Sequence, residues 1–135
     1  MKKLFIIFIL SILPIHSFSQ EGFEYAITGN GVDYYVRIES DVNNNMGMYT
    51  DFWLKYDNPT KRIKLKNGKY TTKDGGYTLA YMTIWCSGKT HETKEITKYN
   101  SEGNVIARDD FPTPSRKIIP GSVIEGIYKK VCRKE

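Results

Sequence analysis

One stretch of this chain has the period of a helix, and it ends on a cysteine. In Ile118-Ile119-Pro120-Gly121-Ser122-Val123-Ile124-Glu125-Gly126-Ile127-Tyr128-Lys129-Lys130-Val131-Cys132, the residues Ile124, Ile127, Tyr128 and Val131 form one apolar stripe. Cys132 lies one turn beyond Tyr128 on the same side. Ser122 and Glu125 have capping-box spacing, so the serine oxygen is expected to accept an amide hydrogen and the glutamate to reach back to the serine amide. The helix then begins near Val123. Lys129, Lys130, Arg133 and Lys134 crowd its last turn, where they complement the negative end of the helix dipole. A basic helix also suits a membrane surface, but with barely three turns and a cysteine committed elsewhere, a helix docked on a core is the expectation. Everything upstream reads as strand and turn.

The first residues set the compartment. Lys2 and Lys3 precede an apolar run from Leu4 to Leu13, and Ser17-Phe18-Ser19 is a small-x-small cleavage site, which together read as a signal peptide over residues 1–19. A spanning helix needs about 20 apolar residues, and Pro14 and His16 end this run too early. Residues 20–135 are then a single domain, 40% hydrophobic and 26% charged over the whole chain, with a formal charge that falls from +5 to +3 on processing. No cysteine lies near the cleavage site to accept a lipid, so the mature protein is expected to be soluble, without stable membrane insertion.

Both cysteines, Cys86 and Cys132, lie in the mature region. An exported chain meets oxidising surroundings in which two thiols of one small domain pair. Closing a loop of about 47 residues stabilises a fold by roughly 4 kcal/mol in the chain-entropy model. A zinc site fails on count, because His91 is the only histidine left after processing.

The strands follow from local pattern. Phe23 to Thr28 and Tyr34 to Ile38 are separated by Gly29-Asn30-Gly31, an opening hairpin. The two glycines also begin a dinucleotide fingerprint, but Tyr34 stands where its third glycine belongs, and no cofactor is expected. Asp41 to Gly47 reads as a polar loop, and Met48 to Tyr56 as a strand. Asn58-Pro59-Thr60 has the outline of a glycosylation site that proline rules out. Asp74-Gly75-Gly76 turns the chain into Tyr77 to Cys86, apolar on both faces and so expected to be central, with Ala80, Met82, Ile84 and Cys86 beneath the helix and Tyr77, Leu79, Tyr81 and Trp85 on the far side. Thr90 to Tyr99 and Val105 to Asp109 form a hairpin with Gly103 in its loop. Phe111-Pro112-Thr113-Pro114 is an extended connector.

Lys61, Arg62, Lys64, Lys66, Lys69 and Lys73 make the most basic segment, unopposed until Asp74. It reads either as a patch for polyanions such as acidic glycans or lipopolysaccharide, or as an edge strand and loop whose lysines keep it wet and block edge-to-edge pairing. A net charge of +3 carries too little footprint for nucleic acid. Asp109 and Asp110 point to opposite faces of a strand and are poor partners for acid and base chemistry. Ser122 is better explained as a cap than as a nucleophile, and His91 has no orienting partner in the sequence.

The chain resembles the surface-adhesin protein E-like domains of Gram-negative bacteria. The residues that carry the resemblance are Cys86, the Tyr99-Asn100-x-x-Gly103-x-Val105 hairpin and Ile119-Pro120-Gly121-Ser122-x-x-Glu125-x-Ile127-Tyr128-x-x-Val131-Cys132. Looser matches are Asp33-Tyr34-Tyr35-Val36 and Asp51-Phe52-Trp53-Leu54-Lys55. The resemblance implies an α+β fold: a twisted antiparallel sheet of about five to six strands with a C-terminal helix packed on one face and tied by one disulfide. It also implies a non-enzymatic role, in a family whose namesakes adhere to host extracellular proteins. The expectation is an exported binding domain, periplasmic or secreted. A protein, an acidic glycan or a second copy of the chain are the partners left open. The binding surface is sought in the basic segment and on the Tyr81 and Trp85 face. The alternative is a periplasmic accessory domain that dimerises or docks on an envelope protein.

Overall fold

The structure, a computed structural model, describes residues 22–44, 47–110 and 112–132. The expected signal peptide lies outside the described residues, as do Phe111, Arg133 and Lys134. In chain order come β1 (Glu24–Gly29), β2 (Val32–Asn44), β3 (Gly47–Asp57), β4 (Lys61–Lys64), β5 (Tyr70–Lys73), β6 (Tyr77–Trp85), β7 (Thr90–Tyr99), β8 (Val105–Asp109), β9 (Arg116–Lys117) and the helix α1 (Val123–Cys132). Six of the strands form one antiparallel sheet in the order β1-β2-β3-β6-β7-β8, with β9 also paired to β7, while β4 and β5 pair only with each other. The fold is therefore α+β, with the helix against one face of the sheet.

β1 and β2 are joined by Asn30 and Gly31, whose φ angles of 51° and 76° are both positive. That is the combination a two-residue hairpin turn needs to match the twist of its strands. The next hairpin corrects the expected polar loop at Asp41 to Gly47: β2 runs through to Asn44 and β3 begins at Gly47, with Asp41 opposite Thr50 and Val42 opposite Tyr49. Asp and Asn are poor strand formers in isolation, but here the ladder to β3 dictates the backbone.

β6 lies between β3 and β7, as its two apolar faces require. Ala80, Met82, Ile84 and Cys86 form the core with Val36, Phe52 and Leu54 of the neighbouring strands and Ile127 and Val131 of the helix. Phe52 and Ile84 are fully buried, and so are the Thr78, Thr83 and Thr50 side chains. The helix lies closest to β1. It does so because glycines allow it: a Cβ on Gly126 would collide with Ile27, and one on Gly29 with Val123.

The far end of the helix is fixed to β6. Cys132 is bonded to Cys86 across a Cα separation of 5.6 Å and 46 residues of chain, and the Tyr128 hydroxyl donates to the Cys86 carbonyl at 3.0 Å. The helix start differs in one bond from the expected capping box. Glu125 N–H does donate to Ser122 Oγ, at 3.3 Å, but the Glu125 carboxylate accepts from Gly121 N–H at 3.1 Å. The serine amide is already taken by the Ile119 carbonyl, so the glutamate reaches one residue further. Lys129, one turn on, pairs with Glu125 at 3.0 Å. That hydrogen bond first, then the Gly121 amide, holds the carboxyl below its ordinary pKa.

Candidate functional site

The face of the sheet opposite the helix is built by strand alternation. Tyr77, Leu79, Tyr81, Thr83 and Trp85 of β6 point there, and the register sets Trp85 opposite Tyr49, Tyr81 opposite Trp53 and Leu79 opposite Lys55 on β3. On the other flank Tyr77 faces Tyr99 of β7. The rings meet as pairs: Tyr49 and Trp85 at 4.7 Å between centroids, Trp53 and Tyr81 at 4.9 Å, and Tyr77 stacked on Tyr99 at 4.6 Å. All six rings are half-buried, covered at their edges by one another and open above. Such pairs contribute about 0.5–1.5 kcal/mol each beyond their buried area, so they stabilise the sheet without needing a covering layer. Among the described residues no element packs on this face.

Charged side chains are set among the rings. Asp51 lies on β3 between the two tryptophan-containing pairs; it accepts from the buried Thr83 hydroxyl and pairs with Lys94 at 3.2 Å. The Lys94 ammonium also stands 5.3 Å from the Tyr81 ring centroid, and Lys55 4.1 Å from that of Tyr77. Burial first, then the Asp51 charge, raises the pKa of the Tyr81 phenol. Desolvation lowers that of Lys55, against the opposing pull of Asp57.

The basic segment stands elsewhere. Lys61, Arg62 and Lys64 are in β4, Lys73 is in β5, and Lys66 and Lys69 are in the turn between them; every residue from 61 to 74 is exposed. This is a two-stranded ribbon outside the main sheet, not one of the sheet's edge strands. It leaves the end of the β3–β6 pair through a neck. Asn58 N–H donates to the Gly76 carbonyl at 2.8 Å and its side-chain amide to the Gly75 carbonyl at 3.0 Å, while the buried Thr78 hydroxyl donates to its side-chain oxygen. A Cβ on Gly75 would strike the Pro59 carbonyl, and one on Gly76, where φ is 73°, the Tyr99 carbonyl. Trp85 is at the opposite end of β6 from this neck, about 26 Å along the strand. The basic residues and the Tyr81 and Trp85 pair thus belong to two surfaces.

Sequence reasoning placed Tyr77 on this face with Tyr81 and Trp85 but missed Tyr49, Trp53 and Tyr99 as its other members, and Asp51 and Lys94 among them. The alternation of Tyr49, Asp51, Trp53 and Lys55 is visible in the chain; what assembles them is the register with β6.

Elsewhere, a cleft of about 500 Å³ lies between Glu24, Arg37, Ile38 and Lys130. Its charges are engaged: Lys130 pairs with Glu24 at 3.3 Å, and Arg37 with Glu39 at 3.1 Å. Ser122 donates to the Ile119 carbonyl. His91 lies on β7 opposite Ile84 and Arg116. Among the described residues no group of three or more His, Cys, Asp or Glu is placed to hold a metal, and no helix is long and apolar enough to cross a membrane. No family model matches the chain, and neither a curated protein nor a solved structure matches it.

Proposed function

We propose that this protein is an exported, non-enzymatic binding domain that holds a protein partner on the sheet face away from its helix. The observation that carries the reading is the row of three aromatic pairs left bare on that face, while helix α1 covers the other. Tyr and Trp are enriched where proteins recognise proteins, because they combine large apolar area with few rotamers to freeze. Lys55, Lys94 and Asp51 supply the polar points that fix a partner's orientation. The disulfide accords with an oxidising compartment, and the resemblance to surface-adhesin E-like domains supports adhesion to a host or matrix protein.

Binding of immobilised matrix proteins by the parent protein and by Trp53→Ala and Trp85→Ala tests this. Loss of saturable binding in both variants is expected; retention in both would reject the aromatic face as the contact.

A second reading rests on the sheet edge. β8 is exposed throughout, with Val105 and Ile106 each 57% accessible, and such an edge can accept a strand from an envelope protein or a second copy. Crosslinking in intact cells followed by mass spectrometry separates the two readings. Adducts centred on residues 105–109 favour the accessory role, and adducts centred on β3 and β6 favour the first.

A further inference from the structure

The β4–β5 ribbon carries a chemistry different from that of the sheet face. Six cations and no acidic residue lie between Lys61 and Lys73, whereas the rest of residues 20–135 holds twelve basic and fifteen acidic side chains. All the positive excess of the domain is therefore on this ribbon. Its tip stands about 13 Å beyond the neck, further than the Debye length of about 8 Å at physiological salt, so the acidic body does little to cancel it. None of its lysines forms an ion pair among the described residues. Lys61 stands directly opposite Lys73, a like-charge pairing that disfavours the ribbon on its own.

The apolar residues are as informative as the charges. Ile63 is opposite Thr71, so Ile63 and Leu65 share one face, with Lys61 and Lys73 at its base. On the other face Tyr70 carries the Arg62 guanidinium 4.2 Å from its ring centroid. Ile63, Leu65 and Tyr70 are 39%, 44% and 55% exposed, and none belongs to the core. A soluble polyanion would neutralise the cations and leave Ile63 and Leu65 in water.

The geometry points to an anionic lipid surface as the ribbon's partner. Lys61, Lys69 and Lys73, which the register sets on the same face as Ile63 and Leu65, meet the lipid phosphates, and Ile63 and Leu65 enter the headgroup boundary as a shallow, reversible anchor. Each cation brought to an anionic leaflet strengthens partitioning about fivefold. The sheet face, on a separate surface, stays free for its own partner.

Sedimentation with phosphatidylglycerol–phosphatidylcholine vesicles tests this, with pure phosphatidylcholine as the control. The disulfide-bonded protein binds the anionic vesicles at low salt, loses them as salt rises and ignores the neutral ones. Lys69→Gln with Lys73→Gln lowers the partition coefficient about 25-fold. Ile63→Ser with Leu65→Ser lowers it about tenfold while leaving elution from a heparin column unchanged. Melting temperatures are preserved, because these side chains lie outside the core. Trp53→Ala keeps vesicle binding, so this inference and the proposed function fail separately. Absence of binding to anionic vesicles at low salt overturns the proposal. So does an Ile63→Ser, Leu65→Ser variant that binds vesicles as the parent does, since the ribbon would then be a site for soluble polyanions.

Discussion

His91 is the one described side chain with a buried polar atom, Nδ1, left without a hydrogen-bond partner. Burial, and then the Arg116 charge across the β7–β9 pair, lowers its pKa. The unfolded chain takes up the imidazole proton near pH 6.5 and the folded protein only at lower pH, so between the two values the unfolded state binds more protons. Stability is full above about pH 6.5 and falls as pH descends toward the lowered value. Urea midpoints at about pH 7.5 and about pH 5.5 should differ for the parent and differ less for His91→Gln. Gly126 gives a second residue-scale test. Alanine in a helix interior is ordinarily better than glycine by about 1 kcal/mol, but here the new methyl would meet Ile27. Overpacking costs about 1–3 kcal/mol, so Gly126→Ala should lower the urea midpoint where propensity alone would raise it.

At the scale of elements, the helix and β6 were legible in the chain because each has its own pattern: a cap, an apolar stripe and a dipole-matched last turn for one, two apolar faces for the other. The disulfide between them was expected from a count of two cysteines and the oxidising surroundings that the first residues suggest. Replacing Cys132 with serine should remove roughly 4 kcal/mol of stability, read as a marked fall in melting temperature that reductant reproduces in the parent. Less legible were the elements whose backbone is set by a neighbour. Asp41, Asn43 and Asn44 are strand only because β3 pairs with them, and Arg116 and Lys117 only because β7 does. The neck at Asn58 was hidden in the same way, since its three hydrogen bonds go to residues about twenty positions away. Asn58→Ala leaves the buried Thr78 hydroxyl without its acceptor and should cost about 1–3 kcal/mol in a denaturant titration.

For the whole molecule, the division of labour between the two sheet faces governs what substitutions do. One tilted aromatic pair is worth about 0.5–1.5 kcal/mol to the fold, while a central aromatic anchor is worth 2 kcal/mol or more to a complex. Trp53→Ala should therefore weaken partner binding by at least about thirtyfold while the domain remains folded by circular dichroism. The sequence named Tyr81 and Trp85 for this face but not the residues opposite them, because a face is a property of register. Register here is simple: apart from the β4–β5 ribbon, each strand of the main path pairs with the one before it in the chain. A sheet of that kind can assemble in chain order, hairpin upon hairpin, each loop closure short. Cys132 comes after every strand, so its partner Cys86 waits on a completed sheet with its apolar face still open to solvent. Tryptophan fluorescence from Trp53 and Trp85 should settle before the thiols are consumed in oxidative refolding. Until that bond closes, the domain is a finished scaffold whose core remains within reach of any chaperone it meets.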